Sequence, residues 1–134
     1  MATICVNGKA TEHTVFVYDT LRKGFHNNNL LDNTRFVCKA KTADKYTMRV
    51  LGTVPFVDKN TKSIVITGEV YIVSDEVLAN LDMLEAHPNW YNREAVQIEV
   101  DDNTFQEAWV YFNSGKGTVI PSGDYVDCVA SLLE

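Results

Sequence analysis

Two apolar runs and one amphipathic stretch dominate the pattern of hydrophobic and polar positions along the chain. Residues 14–18, TVFVY, are β-branched or aromatic throughout. They lack the polar alternation of a half-exposed strand and predict one buried on both faces. The character then changes within one residue to Asp19-Thr20-Leu21-Arg22-Lys23-Gly24. A buried strand that runs straight into a polar loop leaves several backbone N–H groups free at the edge of a core. Such a cluster can hold a carboxylate or a developing oxyanion. Taken alone, the stretch reads first as an ordinary strand entering a turn. The second run, IVITGEVYIV at residues 64–73, is interrupted only by Gly68 and Glu69. Gly68 marks a bulge or a place where something approaches the backbone closely.

The amphipathic stretch, residues 74–86, predicts the chain's main helix. Ser74 suits the N-cap, and Asp75 and Glu76 lie in the first turn, where the helix dipole favours anions. Pro88 cannot continue a helix and disfavours helical geometry at His87. Around this core the remaining elements are shorter. Residues 25–31 accommodate one helical turn capped by an asparagine, and residues 35–50 give two extended pieces broken near Ala43-Asp44. Pro55 makes residues 54–57 an edge or irregular segment. Residues 95–100 alternate with period two, Asp101-Asp102-Asn103 turns the chain, and residues 108–112 return as a partner strand. Asp124 caps a short last helix ending in Leu132-Leu133. Residues 1–13 are polar and unpatterned, a lead-in or short edge segment ahead of a single domain spanning 14–134. Many strands around one solid helix predict an α+β domain whose sheet is curled or closed.

Composition narrows the function classes more than the fold. The chain has 134 residues, 46% of them apolar, enough for a core without disulfides or metal. A net charge of −6 gives no basic footprint for nucleic acid. No apolar run approaches the roughly 20 residues of a membrane helix, and the first residues lack a signal-peptide pattern. Cys5, Cys38 and Cys128 are odd in number and widely spaced, as free thiols in a reducing compartment would be. A cytoplasmic monomer is the expectation.

The candidate chemistry sits on the predicted helix. At about 100° per residue, Val77, Leu78, Leu81 and Leu84 form one apolar arc. Glu85 follows Leu78 by seven positions and Leu81 by four, and so projects into that arc, with Asp82 on its flank. A core-facing carboxylate must be paired, protonated or turned to a pocket. Desolvation would raise its pKa toward that of a general base. A Glu that snorkels past the last turn, or pairs with Arg93, is the plain alternative. Ser114-Gly115-Lys116-Gly117-Thr118 lacks the upstream glycine of a phosphate loop, where Val110 stands. His13, His26 and His87 have no metal-ligand spacing, and nothing in the spacing points to a Cys–His nucleophile pair.

Together, VFVYDTLRKGFHNNNLL and GEVYIVSDEVLANLDMLEAHPNWYNR resemble the gamma-glutamyl cyclotransferase-like family, closest in flavour to its gamma-glutamylamine cyclotransferases. The elements that carry the resemblance are Tyr18, Thr20, Leu21, Leu81, Asp82, Glu85, Tyr91 and Arg93, with IPSGDYV at residues 120–126. The resemblance covers about residues 14–127 and implies a small mixed β-barrel flanked by a few helices. It also implies an intramolecular cyclisation in which the α-amine of a γ-glutamyl group attacks its own γ-carbonyl, releasing an amine and 5-oxoproline. By resemblance Glu85 is the base, and Tyr18, Asp19, Thr20, Leu21, Tyr91 and Arg93 contact a small-molecule γ-glutamyl substrate. No metal or organic cofactor is implied. The backbone after Tyr18 would hold the substrate carboxylate and oxyanion.

Asp19 departs from the family pattern, which has glycine there. At an effective dielectric of about 20, its charge ~4 Å from a substrate carboxylate would cost ~4 kcal/mol. It must point outward or meet the substrate ammonium for that site to work. The alternative is a non-catalytic small-molecule binding module on the same scaffold.

Overall fold

The first apolar run forms β1 (Glu12–Val17), and its neighbours explain why it carries no polar alternation. Val15 and Val17 face one hydrophobic cluster, whereas Phe16 and Tyr18 face another. The computed structural model describes residues 12–133. Most of the predicted lead-in lies outside that range. Its last two residues belong to the strand, because Glu12 and His13 pair with Ser74 and Val73 across the ladder.

A 3-10 turn at Asn28–Leu31 follows the opening loop. The predicted asparagine cap is not made there: Asn27 precedes the turn, but its side-chain amide donates to Thr20 Oγ1 at 2.8 Å instead. The chain continues through β2 (Arg35–Thr42), β3 (Thr47–Leu51), β4 (Val54–Asp58) and β5 (Thr67–Ser74). Helix α1 (Asp75–Leu84) leads to the long hairpin β6 (Asn92–Asp101) and β7 (Thr104–Phe112). A two-residue strand β8 (Thr118–Val119) and helix α2 (Tyr125–Leu133) complete the order.

Five strands close into a barrel in the order β1-β5-β2-β6-β7, and the parallel pairing of Val15 with Trp109 joins β7 back to β1. A second sheet, β4-β3-β8, has Pro55 on its edge strand, where a missing N–H costs no ladder bond. The α+β class and the barrel flanked by helices are thus as predicted. Phe16, Met48, Ile66, Val70, Ile98 and Val110 fill one core. Val15, Val17, Tyr71, Val73, Leu78 and Leu81 make the other, beneath α1.

Helix α1 starts where predicted, with Ser74 accepting from the Val77 N–H at 3.2 Å. Its end differs from the prediction in both position and cause. The helix stops at Leu84 in a Schellman arrangement: Ala86 adopts φ +53°, the His87 N–H bonds Asp82 O, and the Ala86 N–H bonds Met83 O. Pro88 lies beyond this cap and does not set it. The apolar arc is correspondingly shorter. Leu78 and Leu81 are buried, each worth about 1.5–3 kcal/mol, but Leu84 is 39% exposed. Glu85 takes the inward position that the arc assigned to both residues.

Gly68 is a site of close approach. A Cβ there would stand 2.4 Å from the Val17 carbonyl and 2.6 Å from the Phe16 ring. Gly68→Ala is therefore expected to lower stability by about 2 kcal/mol or more, read from the urea midpoint, because a backbone carbonyl must move. A midpoint unchanged from wild type would show that β1 and β5 are less tightly apposed.

Candidate active site

The end of β1 and the end of α1 supply the site. Tyr18 is buried, and its hydroxyl donates to the Tyr111 carbonyl at 2.8 Å. The loop that follows is tightly folded: the Arg22 N–H donates to Asp19 O and the Phe25 N–H to Arg22 O. Leu21 buries its side chain among core residues, so only its backbone faces the loop. The Thr20 hydroxyl accepts the Asn27 amide. Tyr91 is buried beside them, and its hydroxyl donates to the Pro55 carbonyl at 2.7 Å.

Two carboxyls meet in this setting. Asp19 and Glu85 are each only 8% exposed, and neither makes an ion pair among the described residues. Burial raises the Glu85 carboxyl to about 8, and the neighbouring Asp19 charge adds to the rise. Burial likewise raises Asp19, to about 6, against the opposing pull of the loop amides of Leu21, Asp19 and Thr20 and the field of His26. The Leu21 N–H stands 3.4 Å from Asp19 Oδ1. At least one of the loop amides expected to receive a substrate anion, that of Leu21, is thus turned toward the chain's own carboxylate. Burial also pushes the Tyr18 and Tyr91 phenols up, and both carboxyls act in the same direction.

Two polar networks hold these segments in place. Arg93 forks onto Asp82, Nε to Oδ1 at 2.8 Å and an outer nitrogen to Oδ2 at 3.1 Å, while Tyr111 donates to the same carboxylate at 2.6 Å. The guanidinium lies 4.3 Å from the centre of the Trp109 ring. Burial alone would raise Asp82, but the bonds from Arg93 and Tyr111 hold it below its usual value. Arg93 is thereby committed to Asp82, which tethers the last turn of α1 to the β6–β7 hairpin. The Arg93 N–H adds a bond to His87 Nδ1.

The second network was not foreseen. Arg22 is 4% exposed, donates to Asp124 at 2.8 Å and lies 3.7 Å from Glu69. Glu69 in turn accepts from the Lys23 N–H and the Tyr71 hydroxyl, both at 3.0 Å. Asp124 also caps α2, accepting from the Val126 N–H at 3.0 Å. The available signal was Glu69 itself, an acid inside an otherwise apolar strand run, which asks for a cationic partner.

Cavities of about 460 and 510 Å³ open elsewhere, one beside Lys41 and Asp101 and one beside Asn33 and Ser74. Chemistry, not hollow size, marks the site. Among the described residues no three His, Cys, Asp or Glu side chains gather as metal ligands, and no described helix is long and apolar enough to cross a membrane.

A family model described as gamma-glutamyl cyclotransferase, AIG2-like, matches residues 15–127. The chain belongs to that family. A Methanocaldococcus jannaschii protein named "Putative gamma-glutamylcyclotransferase" is 45% identical over 115 residues, spanning 84% of this chain and 95% of that protein. Gamma-glutamylaminecyclotransferase C of Danio rerio is 34% identical over 115 residues, spanning 74% of each. The crystal structure of an AIG2-like protein from Mus musculus shares the fold, with a TM-score of 0.75 over 85% of this chain and 89% of that one, at 24% identity. Every motif that carried the resemblance lies within the span matched to the gamma-glutamyl cyclotransferase, AIG2-like family.

Both carboxyls have folded pKa values above their unfolded ones, so the native state binds more protons between the two. That contribution to stability is complete below the unfolded pKa values and is lost as pH rises through about 6 and then about 8. Melting temperature should accordingly fall from mildly acidic to mildly alkaline buffer. Glu85→Gln should flatten the fall and melt about 5 °C or more above wild type on the alkaline side. Parallel melting curves for the two proteins across that range would contradict a buried, uncompensated Glu85.

Proposed function

We propose that this protein is a cyclotransferase that converts γ-glutamylamines or related γ-glutamyl compounds to 5-oxoproline and a free amine. The observation that carries the reading is Glu85, a carboxyl buried at the end of α1 without an ion pair among the described residues and raised toward neutrality by desolvation. That is the state a general base needs in order to take a proton from an ammonium and return it later. Family membership and relatives named for the same reaction support it.

The chemistry makes limited demands. Both reacting groups belong to one molecule, so positioning replaces a bimolecular encounter. Tyr18 and Tyr91 are buried near Glu85, their hydroxyls already committed to backbone carbonyls. The amides of Asp19, Thr20 and Leu21 are the donors for a developing oxyanion, shared with the Asp19 carboxylate. Arg93 acts through Asp82 to fix the helix end that carries Glu85. The reaction moves protons and one acyl bond, with no electron transfer, so no cofactor is invoked.

A second reading has its own observation. The loop amides already hold Asp19, and a scaffold whose anion site is filled this way is a candidate for binding without turnover. It predicts ligand-dependent thermal stabilisation and no 5-oxoproline.

Incubation with γ-glutamyl-lysine and γ-glutamyl amino acids, followed by assay of 5-oxoproline, separates the two. The cyclotransferase reading expects product, and a loss of about 10²–10⁴-fold in Glu85→Gln with the fold intact. It also expects kcat/KM to climb with pH and level off above about 8, as Glu85 loses its proton. Turnover indifferent to Glu85→Gln would remove Glu85 from the mechanism.

A further inference from the structure

Asp19 stands where the family pattern has glycine, and its carboxyl does not point outward. It is buried, and the Leu21 N–H stands 3.4 Å from its Oδ1. A cluster of N–H groups suited to a ligand's anion holds an anion of the chain itself. The consequence is a negative group fixed within the field of Glu85.

Both carboxyls are more than nine-tenths buried, and neither has an ion-pair partner among the described residues. The groups that face them are the phenols of Tyr18, Tyr91, Tyr111 and Tyr125, together with His26. The phenols are held neutral by burial and by these same carboxyls. His26 is an exposed residue of the same loop. Arg22 stands three positions after Asp19, yet its guanidinium is directed at other acids: it donates to Asp124 at 2.8 Å, and its Nε, which has no hydrogen-bond partner, lies 3.7 Å from Glu69. Two buried carboxylates without a cation oppose each other's ionisation, and they are relieved by a shared proton or by a bound positive charge.

We propose that Asp19 and Glu85 form a dicarboxylate receptor for the α-ammonium of the γ-glutamyl group, in which Asp19 contacts the substrate and holds the charge while Glu85 moves the protons. The proposal rests on the cyclotransferase reading for its substrate. On binding, the ammonium replaces the one proton that the buried pair carries, which leaves to solvent. Glu85 then takes one ammonium proton, and the neutral amine nitrogen attacks the γ-carbonyl carbon. The new C–N bond forms as the carbonyl oxygen becomes anionic. Collapse breaks the bond to the leaving nitrogen, which receives the Glu85 proton. The ring nitrogen gives up its second proton through Glu85, and the product amine departs as an ammonium ion. Asp19 stays ionised throughout. A γ-glutamyl compound whose amine is acylated would be refused.

The test uses a ligand that cannot cyclise. The N-butyl sulfonamide of homocysteic acid replaces the γ-carbonyl, and 4-(N-butylsulfamoyl)butanoic acid is its counterpart without the amine. Titration calorimetry on wild type near neutral pH should show the amine-bearing ligand bound at least about tenfold tighter, with a proton released, detected by comparing buffers of different ionisation heat. Asp19→Asn and Asp19→Gly should both bring that ratio near one. Both should also lower kcat/KM on γ-glutamyl-lysine by about tenfold or more, chiefly through KM. Equal binding of the two ligands to wild type would overturn the proposal without recourse to any variant. So would either substitution raising activity, which would make Asp19 an obstacle to the substrate anion. If wild type yields no 5-oxoproline, the cyclotransferase reading fails, while the binding ratio still decides whether the receptor exists.

Discussion

The candidate site depends on two carboxyls kept out of water, neither of them ion-paired among the described residues. Taking Asp19 and Glu85 from solvent is unfavourable unless a proton or a bound charge compensates. The fold sustains that state because each carboxyl is anchored through its own backbone and not through the other. Asp19 is fixed by the amides of its loop, and Glu85 by the Schellman cap that ends α1. Neither anchor supplies positive charge to relieve both groups.

The two ionic networks are better understood as clamps than as sources of stability. A buried ion pair recovers little more than its desolvation cost, but it fixes geometry. Arg22, Glu69 and Asp124 bind the loop after β1 to β5 and to the start of α2. Asp82, Arg93 and Tyr111 bind the end of α1 to the hairpin. Tyr18 joins the two systems, since its hydroxyl donates to the carbonyl of Tyr111. A shift in either clamp would move one carboxyl relative to the other. Arginine suits the place opposite Asp82, because its planar fork meets that carboxylate in a fixed orientation.

The arginines also show how charge is sorted. Each of the two nearest the site is consumed by an acid outside it: Arg93 by Asp82, and Arg22 by Asp124 and Glu69. Through these pairings the site acquires an acidic character that the overall charge of −6 would not by itself place there.

Sequence alone determined the parts governed by local periodicity. The unbroken apolar run before Asp19 predicted a strand covered on both faces, and the spacing of Leu78, Leu81 and Glu85 put a carboxyl on the apolar side of a helix, with snorkelling outward still open to it. Gly68 marked a close approach, and Asp124 a helix cap. Tertiary structure decided what depends on distant partners. That Leu84 leaves the core while Glu85 enters it follows from the αL turn at Ala86, one residue that periodicity cannot see. That Arg93 serves Asp82, and that Arg22 crosses to Glu69 and Asp124, required the barrel to close. Above all, the orientation of Asp19 was open in the sequence, which allowed it to face outward, a substrate anion or a substrate ammonium. Folding removed the first of these by burying it beside Glu85, because an electrostatic interaction depends on distance in space, and residues 66 positions apart have none until the chain is folded.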